Sequence, residues 1–250
     1  MIVLNLVLSA GFAAVAFLYA VVGHAGASGY IALMTLCGLL TETIKPVALI
    51  LNIVVASIGC WNFLRAGHWP WRSIWPVYLL AIPASFLGGW LNLPGIWLQR
   101  LIGVVLVFTA WRLGTVSKDP ASLRQPSGLV LVISGGVLGL LAGLTGTGGG
   151  VFLTPLLLLA KWCDTRQAAA TSILFILMNS VAGLAGLALA NPTALTAVLN
   201  PSLVGWIAAV LIGGSLGSRL GSRHWPVAWI RRILAIVLVL AALKLLGLQR

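Results

Sequence analysis

The chain has 250 residues, 60% of them hydrophobic and 7% charged, with a mean hydropathy of +1.10. No soluble core needs that much apolar sequence, so the composition excludes a water-soluble domain and points to an all-α polytopic membrane protein. The formal charge of +12 comes from basic residues set singly or in small groups between apolar runs. That distribution suits helix ends held at a membrane face among lipid, and not a nucleic-acid surface.

Ten apolar segments are expected, over residues 2–22, 28–40, 45–64, 73–91 and 97–113, then 128–142, 149–161, 167–190, 201–219 and 229–247. No Lys or Arg precedes Lys45, so the first segment reads as a retained helix and not as a cleaved signal peptide. The second and seventh are short. A helix of that length rises about 20 Å against a hydrocarbon core of about 30 Å, so each is either a re-entrant hairpin or a short helix completed by the loop before it.

The basic residues choose between these. If both short segments cross, each half has an odd number of crossings and the halves are inverted. Arg65, Arg72, Arg112, Lys118, Arg124, Lys161, Arg166, Arg219, Arg223, Arg231 and Arg232 then share one side, against Lys45, Arg100, Lys244 and Arg250 on the other. The richer side is cytoplasmic. With re-entrant segments the bias vanishes. The expectation is therefore two inverted repeats, 1–114 and 128–250, each of five segments, with both termini outside. The polar, proline-broken stretch 115–127 links them. Trp69, Trp71, Trp75, Trp97, Trp162, Trp225 and Trp229, near segment ends, read as interfacial anchors.

The acidic residues are Glu42, Asp119 and Asp164 alone, too few for a carboxylate dyad or a divalent-cation cage, so no metal or other cofactor is expected. Cys37, Cys60 and Cys163 are far apart and read as small packing residues. Glu42 and Lys45 form either an exposed interfacial pair or a buried gate.

Two glycine-rich loops stand out. Gly143-Leu-Thr-Gly-Thr-Gly-Gly-Gly150 precedes the seventh segment, and Gly23-His-Ala-Gly-Ala-Ser-Gly29 precedes the second, 120 positions upstream. At that offset Gly23 falls on Gly143, Gly26 on Gly146 and Gly29 on Gly149. Bare backbone at membrane depth is tolerated only inside protein or against a polar cavity. Interrupted segments at corresponding places in two halves mark a transporter's substrate site. The free N–H groups that open a helix attract an anion, and glycine lets it approach. Gly26, Ser28, Gly29, Thr145, Gly146, Thr147, Gly148, Gly149 and Gly150 are therefore candidate substrate-binding residues, with the two short helices facing each other at the midplane. The alternative is that these glycines only allow close helix packing. Asn52 and Ser57 in the first half and Thr171, Ser172 and Asn179 in the second are polar in apolar segments, with Asn52 and Ser172 120 apart; they either line the same cavity or satisfy their own helices. His24 is a candidate for proton coupling, or else bonds a loop carbonyl.

Gly-Leu-Thr-Gly-Thr-Gly-Gly-Gly-Val-Phe-Leu-Thr-Pro155 with Ala170-Thr-Ser172 resembles the second-half motif of the TauE/SafE family of sulfite and organosulfonate exporters. Val22-Gly-His-Ala-Gly-Ala-Ser-Gly-Tyr30, Lys45-Pro46 and Leu51-Asn52 resemble its first-half pattern. The resemblance implies secondary transport of a small sulfur-containing anion (sulfite, thiosulfate or a sulfonate), usually outward, across the cytoplasmic membrane of a bacterium, with homo-oligomers open. Members are described with seven or eight helices, fewer than the ten segments expected here. A passive anion channel fits the same architecture. An intramembrane serine protease is a rival from another class, because Gly26-Ala-Ser-Gly29 looks like a rhomboid-type nucleophile motif. Its only nearby base would be His24, and the second half carries Gly148 where Ser28 stands in the first.

Overall fold

The computed structural model describes residues 2–67, 74–91, 122–194 and 201–221, with isolated positions within 100–111 and 236–243. Its continuous elements are all helices: α1 (Ile2–Val21), α2 (Ala27–Leu36), α3 (Thr41–Arg65), α4 (Val77–Trp90), α5 (Gly128–Thr145), α6 (Gly150–Leu159), α7 (Thr165–Ala190) and α8 (Pro201–Gly221). These follow eight of the expected segments within a few residues. The fifth and tenth segments and most of the linker lie outside the described residues.

Five helices (α1, α3, α5, α7 and α8) are long and apolar enough to cross a membrane, and α2 and α4 are shorter apolar helices. Burial is inverted relative to a water-soluble fold. Val3, Leu129, Leu189 and Val204 are exposed, whereas Ser28, Asn52, Ser85, Thr145, Ser172 and Ser180 are buried. Lipid accepts the former, and a polar group in hydrocarbon must find a partner inside the protein. The chain is a multi-pass membrane protein.

Glycine stripes set the packing. Side-chain Cβ atoms at Gly135, Gly139 and Gly143 of α5 would fall on the carbonyl oxygens of Val77, Ala81 and Ser85 of α4. Gly213 and Gly217 of α8 meet Ala13 and Phe17 of α1 in the same way. Small residues four apart let two backbones touch where there is no hydrophobic force to drive association. The residue order along each seam shows that α4 runs parallel to α5, and α1 to α8.

Other contacts extend the map. Tyr78 and Ser85 of α4 bond the carbonyls of Thr171 and Asn179, so α7 runs with α4. Asn62 bonds Ser218 while Val55 meets Gly214, so α8 runs with α3. Asn52 meets Ser180 and Gly59 meets Ile173, so α3 and α7 are antiparallel. Thus α1, α3 and α8 point one way, and α4, α5 and α7 the other.

Candidate functional site

Both glycine loops are shaped by left-handed backbone. Gly23 (φ 76°) closes α1, with His24 N–H bonded to Tyr19 O, and Gly146 (φ 72°) closes α5 through Ala142 O. Gly26 (φ 105°) opens α2 and Gly149 (φ 79°) opens α6. Glycine takes these angles without steric cost. The matching roles lie 123 positions apart, not 120: Gly23 corresponds to Gly146 and Gly26 to Gly149. Glycines recur every third residue in both loops, so a three-residue slip still sets glycine on glycine. Asn52 and Ser172, 120 apart, are therefore not equivalent by role.

Neither α2 nor α6 has a side-chain cap. The first bond of α2 is Tyr30 N–H to Gly26 O, and those of α6 are Phe152 and Leu153 N–H to Gly149 O. The N–H groups ahead of these have no acceptor within their helices. Both openings are buried.

Each loop docks on the long helix of the other half. Beside the first, a Cβ at Gly23 would strike Ala169 of α7. His24 Nε2 lies 3.0 Å from Thr154 Oγ1 of α6, and Thr154 donates to Ser172 Oγ at 2.7 Å. His24 Nδ1 is 3.2 Å from Val22 O. Ser28 Oγ pairs with Tyr19 O–H at 2.8 Å. Beside the second loop, Asn52 Nδ2 donates to Thr147 O at 3.2 Å and to Ser180 Oγ at 3.3 Å. A Cβ at Gly148 would stand 2.7 Å from Asn52 Nδ2, and one at Gly146 3.0 Å from Lys45 Cγ. Gly150 packs on Ile176, and Gly149 on Phe175 and Ala142.

The candidate residues therefore gather into two clusters on α7. His24 and Ser172 belong to one, and Thr147, Gly148 and Asn52 to the other. Ser172 and Ser180, their anchors on α7, are about 12 Å apart along its axis. Thr171 turns inward and donates to Gln167 O of its own helix, whereas Thr145 donates to Leu141 O and also meets Thr147 Oγ1 at 2.9 Å, which joins it to the second cluster. Gly29 packs against Val15 and Tyr19 of α1.

Three further buried residues complete the interior, of which Thr154 and Ser180 were not singled out from sequence and Asn179 was, as a polar residue in an apolar segment. Thr154 and Ser180 bridge the clusters to α7, and Asn179 is 1% exposed with neither amide atom partnered. Lys45, read from sequence as half of a pair with Glu42 and as part of the first-half pattern, is buried while Glu42 is exposed, and its ammonium bonds Gly88 O. No cluster of metal ligands occurs among the described residues.

A family model described as "Sulfite exporter TauE/SafE" matches residues 7–245. A "Probable membrane transporter protein" of Sinorhizobium fredii is 41% identical over 244 residues, 96% of this chain and 97% of that protein. Another protein named in those terms, from Methanocaldococcus jannaschii, is 28% identical over 148 residues, 58% of this chain and 55% of its own length. No solved structure matches the chain significantly.

Proposed function

Because the chain belongs to the TauE/SafE sulfite exporter family of membrane transporters, we propose that it is a secondary transporter carrying a small sulfur oxyanion (sulfite, thiosulfate or an organosulfonate) out of the cell. The observation that carries this reading is the pair of buried, uncapped helix starts, each opened by a left-handed glycine and each held by the other half's long helix. An oxyanion needs directed N–H groups and positive potential away from water, and a helix start supplies both.

The helix directions support two inverted repeats. Under inversion α1 corresponds to α5, α3 to α7 and α4 to α8, and the members of each pair run in opposite directions. Rocking of one repeat against the other would expose the site alternately to each side. The two clusters divide the work. The second loop, with Asn52 and the start of α6, takes the anion. His24 carries the coupled proton. Val22 O accepts from His24 Nδ1, while the Nε2–Thr154 contact has its donor set by the ring's protonation, with Thr154 in turn linked to Ser172. A neutral ring with its proton on Nδ1 accepts from the Thr154 hydroxyl at Nε2 and a protonated ring donates to it, so gaining or losing a proton reverses a bridge between the loop of one half and two helices of the other.

The protease reading loses ground on geometry: Ser28 pairs with Tyr19, and His24 with Thr154. The deciding experiment is counterflow in proteoliposomes with labelled sulfite, thiosulfate, methanesulfonate and acetate, wild type beside Gly149→Leu. Saturable exchange of a sulfur anion, lost in the variant, is the expected result. Flux without saturation or counterflow would establish a channel, and no flux of any sulfur anion would sink the substrate assignment. Exchange that survives Gly149→Leu would keep the transporter and move the site.

A further inference from the structure

The polar interior holds one charge that the glycine loops do not explain. Lys45 lies in the second turn of α3, 6% exposed, and its ammonium donates to Gly88 O of α4 at 3.2 Å. Among the described residues no carboxylate pairs with it. Glu42 is exposed, and Asp164 caps α7 at the far end of the antiparallel α3–α7 pair. An ammonium withdrawn from water and left with a carbonyl is an expensive arrangement, and ionisable residues inside membrane proteins mark pathways and ligands.

Three observations tie this charge to the second loop. Gly146 lies directly against Lys45, where a Cβ would stand 3.0 Å from its Cγ and 3.3 Å from its carbonyl oxygen. Asn52, two turns further along the same face of α3, holds the loop through Thr147 O, yet its fully buried side chain keeps Oδ1 unpartnered. Asn179, on the helix that bears Ser180, has both amide atoms unpartnered and buried. Buried amides are ordinarily satisfied, so these atoms are held open for a polar occupant.

We propose that Lys45 is the counter-charge of the second glycine loop and that the loop is built for an anion of one negative charge, such as a sulfonate or hydrogensulfite. This rests on the reading of that loop as the substrate site. One ammonium and one monoanion balance at the second loop, apart from His24, whose contacts lie in the other cluster. A dianion leaves a net negative charge in a medium that solvates it poorly, and a neutral sulfone leaves the ammonium uncompensated. The N–H groups at the start of α6 and the two asparagines orient the ligand but add no net charge.

The test is titration calorimetry on the purified full-length protein in detergent. The probes are methanesulfonate, sulfate and dimethyl sulfone; the proteins are wild type, Lys45→Met, Lys45→Gln and Lys45→Arg. Wild type is expected to bind methanesulfonate at least about tenfold tighter than either other probe, the scale of one charge-assisted hydrogen bond. Removing the charge should weaken methanesulfonate about tenfold or more and leave the sulfone unchanged, while Lys45→Arg retains the preference. A purely structural lysine would lower thermal stability without altering discrimination between charged and neutral probes. Wild-type binding of sulfate as tight as methanesulfonate overturns the proposal even if no charge-free variant folds. So does a folded Lys45→Met or Lys45→Gln with methanesulfonate affinity within twofold of wild type. In either case binding of a sulfur anion by wild type leaves the transporter reading standing. Absence of binding by every sulfur anion defeats both.

Discussion

Gly148 shows why the second loop requires glycine. Its φ is 74°, and a Cβ would stand 2.7 Å from Asn52 Nδ2, 2.8 Å from Ile176 Cγ2 and 2.9 Å from Ser180 Oγ. A side chain there meets two penalties: left-handed backbone, about 1–2 kcal/mol for an L-residue, and displacement of the amide that fixes the loop. Gly148→Ala is expected to lower counterflow by more than about tenfold while the protein remains folded, because the loss falls on Asn52 and Thr147 O and spares the glycine seams. Full exchange by a folded Gly148→Ala would remove the loop from the site. His24 gives a different signature, since the proposed role is coupling and not affinity. His24→Gln still donates from its amide toward Thr154 but cannot carry a proton, so counterflow should persist. Uphill anion movement driven by a pH gradient should disappear. Gradient-driven transport surviving in His24→Gln would place the coupling group elsewhere.

At the scale of elements, the glycines on α5 and α8 do a separate job from those in the loops. Gly139 sits where α5 crosses Ala81 of α4 with backbone against backbone, whereas Gly136 on the same helix has the Leu80 side chain 3.3 Å from a Cβ position. Gly139→Val should therefore force the helices apart and destabilise the fold by about 1–3 kcal/mol, and Gly136→Ala should be nearly silent. Thermal unfolding in detergent, followed by tryptophan fluorescence, separates the two; equal melting temperatures would refute the seam. This division explains how far the sequence could be read. Apolar runs and loop glycines locate helices and breaks because their causes are local: hydropathy, missing side chains, turn chemistry. The relation between the halves is not local. Gly23, Gly26 and Gly29 match Gly143, Gly146 and Gly149 in identity, but capping roles align them three residues further on. Nothing in the letters distinguishes a glycine needed at positive φ from one needed for close approach. Lys45 was misleading for a similar reason. Its neighbour Glu42 suggested a surface pair, but Glu42 is exposed and the buried Lys45 donates to Gly88 O of α4 instead.

At the scale of the molecule, the exposed basic residues of the described helices and loops give the bundle an electrical direction. Asn52 opposite Ser180 and Gly59 opposite Ile173 carry the end of α3 toward the start of α7, which sets Arg65 at the same end as Arg166. Lys161 lies just before α7, and Arg124 N–H bonds its carbonyl at 2.7 Å. Arg219 ends α8, which runs with α3. Arg65, Arg124, Lys161, Arg166 and Arg219 are all exposed and so gather at one end of the bundle. The start of α1 and the end of α7 lie at the other, because α1 runs with α8 and α7 against α3. Cytoplasmic faces collect Lys and Arg, so the expected orientation sets this basic end at the cytoplasm and the start of α1 outward. Cysteine labelling in intact cells tests this, on a background with Cys37, Cys60 and Cys163 replaced. Ser122→Cys should resist an impermeant maleimide until the membrane is opened, whereas Thr193→Cys, just past α7, should react from outside. Labelling of both from one side would break the inverted arrangement, because α5 and α7 could not then run as their contacts with α4 require. The reverse pattern would keep the fold and turn the molecule over, placing Lys45 near the cytoplasmic mouth and making the proposed counter-charge the first group an exported anion meets.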